Sequence, residues 1–235
     1  MVKQNLFLIL LLFCTTVLFG QRKTEIDSVT INQILNKYTD DDSPGLAVGI
    51  VKEGKVVYEN YLGNASLDHK IKVDKNTRFN IASTAKQFTA LMLLELSFKD
   101  KLSLEDDIRK YLPNQYTEEK EAIKVRHLIN HTSGIRDYIF ILEMMNDPWW
   151  QKMGLDNNDI IELLEKQKEL SFKPGSAYAY SNSGYVVMTK IIEAVTGEKF
   201  NDYSQRFFEE RGMRETSFIK RYMGVIPNRA YPYSN

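Results

Sequence analysis

Apolar positions change period several times along this chain, and the changes mark out its elements. Ile26, Val29, Ile31, Ile34 and Leu35 fall on a roughly helical stripe between residues 24 and 38. Pro44-Gly45 ends it. Two short apolar, branched runs follow at 46–51 and 56–62, separated by the turn Lys52-Glu53-Gly54-Lys55, so residues 45–63 predict a β-hairpin. The polar stretch 64–77 predicts a connection, and Asn80 stands at a capping position for the next helix. Over 82–96, Phe88, Leu91, Met92, Leu93, Leu94 and Leu96 leave almost no polar face, the mark of a helix buried inside a domain. Further helical periods cover 104–111, 125–131, 158–166, 182–196 and 199–211. Both strands precede the almost wholly helical middle of the chain, which predicts an α+β fold: a small antiparallel sheet with a mainly helical region, about 81–210, inserted into it. There is no internal repeat and no low-complexity tract.

The first residues have a different character. Lys3 is the only charge before Arg22, and residues 6–13 are wholly apolar. That is the charged n-region and apolar h-region of a signal peptide, predicted to span 1–20, with cleavage near Gly20-Gln21. The apolar run is short of the roughly 20 residues a membrane span needs, so no stable anchor is expected and the protein is expected to be secreted or periplasmic. Cys14 is the only cysteine, and bulky Phe13 before it argues against a lipid-attachment site. A mature chain over 21–235 would hold no thiol, which excludes disulfides and thiolate chemistry. It would fold as one large domain or two interleaved ones. With 31 basic and 31 acidic residues spread along the chain, no nucleic-acid partner is implied.

Candidate chemistry begins at Ser83-Thr84-Ala85-Lys86, where a hydroxyl and an amine lie three residues apart at the start of a helix. A serine nucleophile needs a neighbouring base, and lysine at this spacing can be one. Lysine in a first turn also opposes the positive end of the helix, an unusual place for a merely solvated side chain. The plain alternative is a surface lysine beside a serine. The pattern is cheap: Ser217-Phe218-Ile219-Lys220 repeats it, though it opens no helix. The second group is Tyr180-Ser181-Asn182, between the turn Pro174-Gly175-Ser176 and a helix start. A phenol there could shuttle protons and an asparagine amide could orient lysine and substrate. Tyr58-Glu59-Asn60 and Tyr233-Ser234-Asn235 repeat that spacing too, the first inside a strand and the second at the last residues.

In combination these segments resemble the serine β-lactamase and penicillin-binding-protein superfamily, above all its class C β-lactamase, D-alanyl-D-alanine carboxypeptidase and esterase branch. The resemblance also rests on Pro44-Gly45-Leu46-Ala47-Val48, on Thr77-Arg78-Phe79-Asn80-Ile81-Ala82 before Ser83, and on Val125-Arg126-His127-Leu128-Ile129-Asn130-His131-Thr132-Ser133-Gly134-Ile135. Phe172-Lys173-Pro174-Gly175 and Gly212-Met213-Arg214-Glu215-Thr216-Ser217-Phe218 follow in the family's order, so the similarity spans about 40 to 220. It implies a β-lactamase/transpeptidase-like fold, an antiparallel sheet flanked by helices. Ser83 would be the acylated nucleophile, Lys86 its base partner and Tyr180 the proton shuttle that also activates the deacylating water. Asn182 would bind lysine and substrate, and the Ser83 backbone N–H would be half of an oxyanion hole. The implied function is hydrolysis of a β-lactam, D-alanyl peptide or small ester or amide, with no cofactor. A small molecule or peptide is the expected partner.

Other features weigh less. His127 and His131 have the spacing of a zinc helix, but Leu128 stands where H-E-x-x-H needs glutamate, so no metal is expected and both read as structural. There is no G-x-S-x-G elbow. Trp149 and Trp150, with Tyr138, Phe140, Met144 and Met145, would either wall a pocket or cluster under a long connection over 136–170. The superfamily's third motif, K-T-G or H-x-G, has no counterpart after Asn182. The sheet is therefore expected to be incomplete, the chain to be the N-terminal portion of a longer hydrolase, and its activity to be impaired. The alternative function is a non-catalytic, penicillin-binding-like remnant or interaction protein.

Overall fold

A computed structural model describes residues 26–146, 154–220 and 224–233. The expected signal peptide at 1–20 and the Trp149–Trp150 pair lie outside the described residues. The fold is α+β and falls into two compact units, one of residues up to Thr77 together with those from Arg229, the other Arg78–Asn228. Among the described residues no helix is long and apolar enough to cross a membrane.

The first unit begins with α1, Ser28–Leu35, whose free backbone donors meet the Asp27 carboxylate: Thr30 N–H donates to it at 3.1 Å. Strands β1 (Leu46–Lys52) and β2 (Lys55–Leu62) then pair antiparallel. Glu53 and Gly54 turn the hairpin with φ of 51° and 73°, the left-handed pair that matches strand twist in a two-residue loop. The predicted connection after it contains a second ladder, β3 (Asn64–Ser66) with β4 (Ile71–Lys72). Its polarity hid it: Asn64 and Ser66 are buried, and Asn64 Nδ2 is satisfied by the carbonyls of Asp41 (2.7 Å) and Ser43 (3.1 Å). The chain returns here at its far end, where Tyr231 N–H donates to Ala65 O at 2.9 Å. Each ladder has two strands among the described residues, and Val51, Val56 and Val57 of the hairpin stay exposed.

The second unit holds the main core. Helix α2, Lys86–Phe98, follows a tight 3-10 turn at Ala82–Ala85 where a continuous helix is predicted. It is also not buried all round. Met92 and Leu93 face inward, whereas Leu91, Leu94 and Phe98 are exposed, Phe98 at 93%. The segment 104–111 is not a helix either, only a 3-10 turn at Ile108–Lys110. Its backbone groups pair with a distant loop instead: Ile108 N–H donates to Ile123 O, and Asp106 O accepts from Val125 N–H. Helices α3 (Val125–Ile129), α4 (Tyr138–Met144), α5 (Asn157–Glu165), α6 (Asn182–Thr196) and α7 (Phe200–Glu210) complete the unit.

Helix α4 falls inside the stretch read from sequence as a connection. It buries Ile141 and Leu142, whereas Phe140, Met144 and Met145 are exposed. Helix α6 has the predicted bounds because its stops are local. Ser181 Oγ accepts from Gly184 N–H at the start, and Gly197 takes the left-handed φ of 72° that ends a helix. Leu128, Leu164, Val187, Met188 and Ile191, all with no exposed surface, pack with Met92 and Leu93 around the contact of α2 on α6.

Candidate active site

The entry to α2 is built by short-range bonds. Asn80 Oδ1 accepts from Ala82 N–H at 2.9 Å, and Ala82 itself takes a left-handed φ of 45°. That conformation costs a non-glycine residue on the order of 1 kcal/mol. It lifts Ser83 onto an exposed 3-10 turn while Lys86 starts the regular helix beside it.

Tyr180 arrives from a loop locked to another. Ser171, Gly175 and Ala179 N–H donate to the carbonyls of Gly134, Thr132 and His131 at 2.8, 2.8 and 3.0 Å. Gly134 is required there, since its φ is 77° and a Cβ would lie 2.2 Å from Phe172 O. The histidine-rich block and the Phe172-Lys173-Pro174-Gly175 block are thus one pinned structure that carries Tyr180 up to α6.

The four residues singled out from sequence meet. Lys86 Nζ donates to Ser83 Oγ at 3.0 Å and to Asn182 Oδ1 at 2.8 Å. The Tyr180 hydroxyl donates to Ser83 Oγ at 2.8 Å. Lys86 Nζ also lies 5.0 Å from the Tyr180 ring centre and 5.6 Å from that of Tyr185. Desolvation pushes the Tyr180 phenol up, but hydrogen bonds to Lys86 and Ser83 and the charge of Lys86 outweigh it, so it sits below its ordinary value. The repeated motifs are elsewhere. Tyr58 and Asn60 both donate to Asn32 Oδ1, and Lys220 pairs with Asp202.

Sequence reasoning missed two neighbours. His131 stacks on Tyr180 with ring centres 4.5 Å apart, and its Nδ1 accepts from Ser181 N–H at 3.1 Å. Asp137 accepts from both the backbone N–H and Nδ2 of Asn182. The signal for Asp137 was present: an acidic capping residue directly before the apolar run Tyr138-Ile139. Among the described residues no group of three or more His, Cys, Asp or Glu side chains is arranged to hold a metal ion.

Both imidazoles, His127 buried and His131 half-buried, use Nδ1 as an acceptor, His127 from Lys124 N–H at 3.2 Å. Burial holds both below their ordinary 6.5, aided by Arg126 and Lys124 at His127 and by Lys86 at His131. The unfolded chain therefore binds more protons once pH falls to 6.5, and stability present above that value is lost below it. The urea midpoint is expected to drop between pH 7 and pH 5, a window in which carboxylates with ordinary values near 4 stay ionised. A flat midpoint across it would refute this account of the two histidines.

Known proteins resemble this chain over most of its length. A family model described as Beta-lactamase matches residues 31–234. A penicillin-binding protein of Bacillus subtilis (strain 168) is 32% identical over 185 residues, 77% of this chain and 40% of that protein. A D-aminopeptidase of Brucella anthropi is 34% identical over 183 residues, 75% of this chain and 33% of that one. Among solved structures, the octameric penicillin-binding protein homologue from Pyrococcus abyssi matches with a TM-score of 0.68 at 28% identity, covering 85% of this chain and 45% of that one. The chain spans less than half the length of each of these relatives.

Proposed function

Because the chain belongs to the Beta-lactamase family, we propose that it carries the nucleophile and proton-transfer groups of a serine hydrolase, and that Ser83 forms an acyl-enzyme. The observation that carries this reading is the double contact on Ser83 Oγ, from Lys86 one turn away and from Tyr180 at a sequence separation of 97. A surface serine has no reason to collect both.

The chemistry follows from the distances. As Oγ attacks a carbonyl carbon, its proton passes to the amine of Lys86 or the oxygen of Tyr180, both within a hydrogen bond. Negative charge then builds on the carbonyl oxygen, near the Ser83 backbone N–H at the positive end of α2. The C–N or C–O bond breaks as the leaving group takes the proton back, and the acyl group stays on Oγ. Tyr180 next draws a proton from water, which attacks the ester carbonyl; the C–Oγ bond breaks, Oγ takes that proton and the acid leaves. The Asn182 amide, beside Lys86, is the group offered to the substrate's own amide or carbonyl.

The substrate class is a β-lactam, a D-alanyl peptide or a small ester or amide. The names of the relatives, a penicillin-binding protein and a D-aminopeptidase, support acyl transfer at this level and no finer one. Export belongs to the same proposal, on the support of the charged and apolar regions within residues 1–20. Because the relatives extend well beyond this chain, acylation rather than turnover is the proper readout. A fluorescent penicillin or fluorophosphonate is expected to add covalently, with the adduct mapping by mass spectrometry to the peptide bearing Ser83. No adduct with either probe would leave the non-catalytic reading in its place.

The lowered Tyr180 phenol adds a pH signature. Tyrosine accepts a proton only when ionised, so acylation is expected to quicken with rising pH and level off below the tyrosine's ordinary value of 10. The charged groups around it are Lys86, which lowers the phenol, and Asp137, which raises it. Tyr180→Phe should slow acylation by about 10²–10⁴-fold, the usual worth of a positioned acid–base group, and remove the rising limb. The same limb in the phenylalanine variant would take Tyr180 out of the proton transfer.

A further inference from the structure

Asp137 takes no part in the steps above, yet its carboxylate touches the amide that faces Lys86. One oxygen, Oδ2, accepts from the Asn182 backbone N–H and from Asn182 Nδ2, the latter at 2.8 Å. The other, Oδ1, accepts from Ile139 N–H at 2.9 Å and so caps α4. The carboxylate is held by the first turn of one helix and grips the first residue of another.

The consequence lies in the polarity of the amide. The two ends of an asparagine side chain are nearly equal in size, so shape alone does not decide which faces where. An ionised carboxylate can only accept. It draws Nδ2 to itself and turns Oδ1 the opposite way, onto Lys86 Nζ at 2.8 Å. A flipped amide would set oxygen against oxygen at Asp137 and donor against donor at Lys86, leaving both contacts unmade in a half-buried site. With the amide as found, one of its two N–H bonds goes to Asp137 and the second is left for a substrate.

We infer that Asp137 is a positioning residue for acyl transfer: it sets the direction of the Asn182 amide, and through it the seat of the Lys86 amine against Ser83. The kinetic part of this inference rests on the acyl-enzyme reading; the amide geometry does not. Asparagine caps helices about as well as aspartate, so Asp137→Asn separates capping from positioning. It keeps an acceptor for Ile139 but opposes an NH₂ group to the Asn182 donors.

The experiment has two arms. In the first, ¹⁵N-asparagine labelling follows the Asn182 side-chain amide by NMR. The native protein should show one proton shifted downfield and slow to exchange, and Asp137→Asn should return it to the free-amide position. Both protons at their free-amide positions and exchanging fast in the native protein would overturn the inference whether or not any variant folds. In the second arm, fluorophosphonate labelling of Asp137→Asn, measured under conditions where the variant stays folded, should slow about 10–100-fold, the range for losing a group that orients a reacting one. Added to Asn182→Ala, the same change should cost nothing more, because the residue it acts through is gone. Losses that multiply would overturn the inference. A native protein that takes no label would remove the acyl-enzyme reading, and the NMR arm would still decide the role of Asp137.

Discussion

Ser83→Ala is expected to give a folded protein that takes no label from a fluorescent penicillin or a fluorophosphonate. The stability cost should be within about 0.5 kcal/mol, because Ser83 is exposed and only its Oγ is lost. The chemical cost is far larger. Among the described residues no other atom there is held by both an amine and a phenol, and removing a serine nucleophile alone costs on the order of 10⁶-fold in rate in serine hydrolases. Ser181 and Ser183 cannot take over, being 3% and 0% exposed. Ser217→Ala serves as the control: its lysine neighbour Lys220 pairs with Asp202, so this variant should label like the native protein. Lys86→Met should lose most of the rate by itself, and joined to Ser83→Ala it should lose no more, as groups that act as a unit do. Equal labelling of the native protein and Ser83→Ala would take Ser83 out of the mechanism.

Phe208→Ala is expected to lower the unfolding free energy by about 3–5 kcal/mol, the range for emptying a buried aromatic site. Phe208 is 1% exposed, and its ring meets Phe88 at 5.2 Å and Phe207 at 5.8 Å edge-on, with Phe218 stacked at 6.0 Å. Each such pair adds about 0.5–1.5 kcal/mol beyond the area it buries. Against a total of about 5–15 kcal/mol for an ordinary domain, the loss is severe. It also reaches the site, because Phe88 lies on α2 just past Lys86 and would lose the wall it packs on. Phe98→Ala makes the same chemical change on the same helix at a position 93% exposed and should stay within about 0.5 kcal/mol. Urea denaturation of the two variants is the check. A loss below 1 kcal/mol in Phe208→Ala would mean that the aromatic cluster contributes little to the fold.

The legible parts of this protein are those decided within a few residues. The helix after Ser181 has its predicted bounds because a serine cap and a left-handed glycine stop it locally. The hairpin was legible from its two apolar, branched runs and from the turn at Glu53-Gly54. In two of the errors a distant partner overrode the local pattern. Residues 104–111 have a helical period but give their backbone bonds to the 123–126 segment. Asn64 and Ser66 look like loop residues but are buried, Asn64 with its amide satisfied by carbonyls more than twenty positions back. The greasy helix α2 has partners on one side and exposed leucines on the other.

The candidate site divides in the same way. The sequence by itself determined the chemical groups, their order along the chain and the one contact that helical spacing guarantees, Ser83 with Lys86 at i, i+3. It also marked Tyr180 and Asn182 as held between a turn and a helix start. Only the tertiary structure decided that the phenol reaches Ser83 and the amide reaches Lys86, across separations of 97 and 96 residues. It alone put His131 against Tyr180 and Asp137 behind Asn182. The reason is physical. A helical turn sets distances between near neighbours through covalent geometry, whereas these contacts depend on how α2 packs on α6 and on the loop pinned across Gly134.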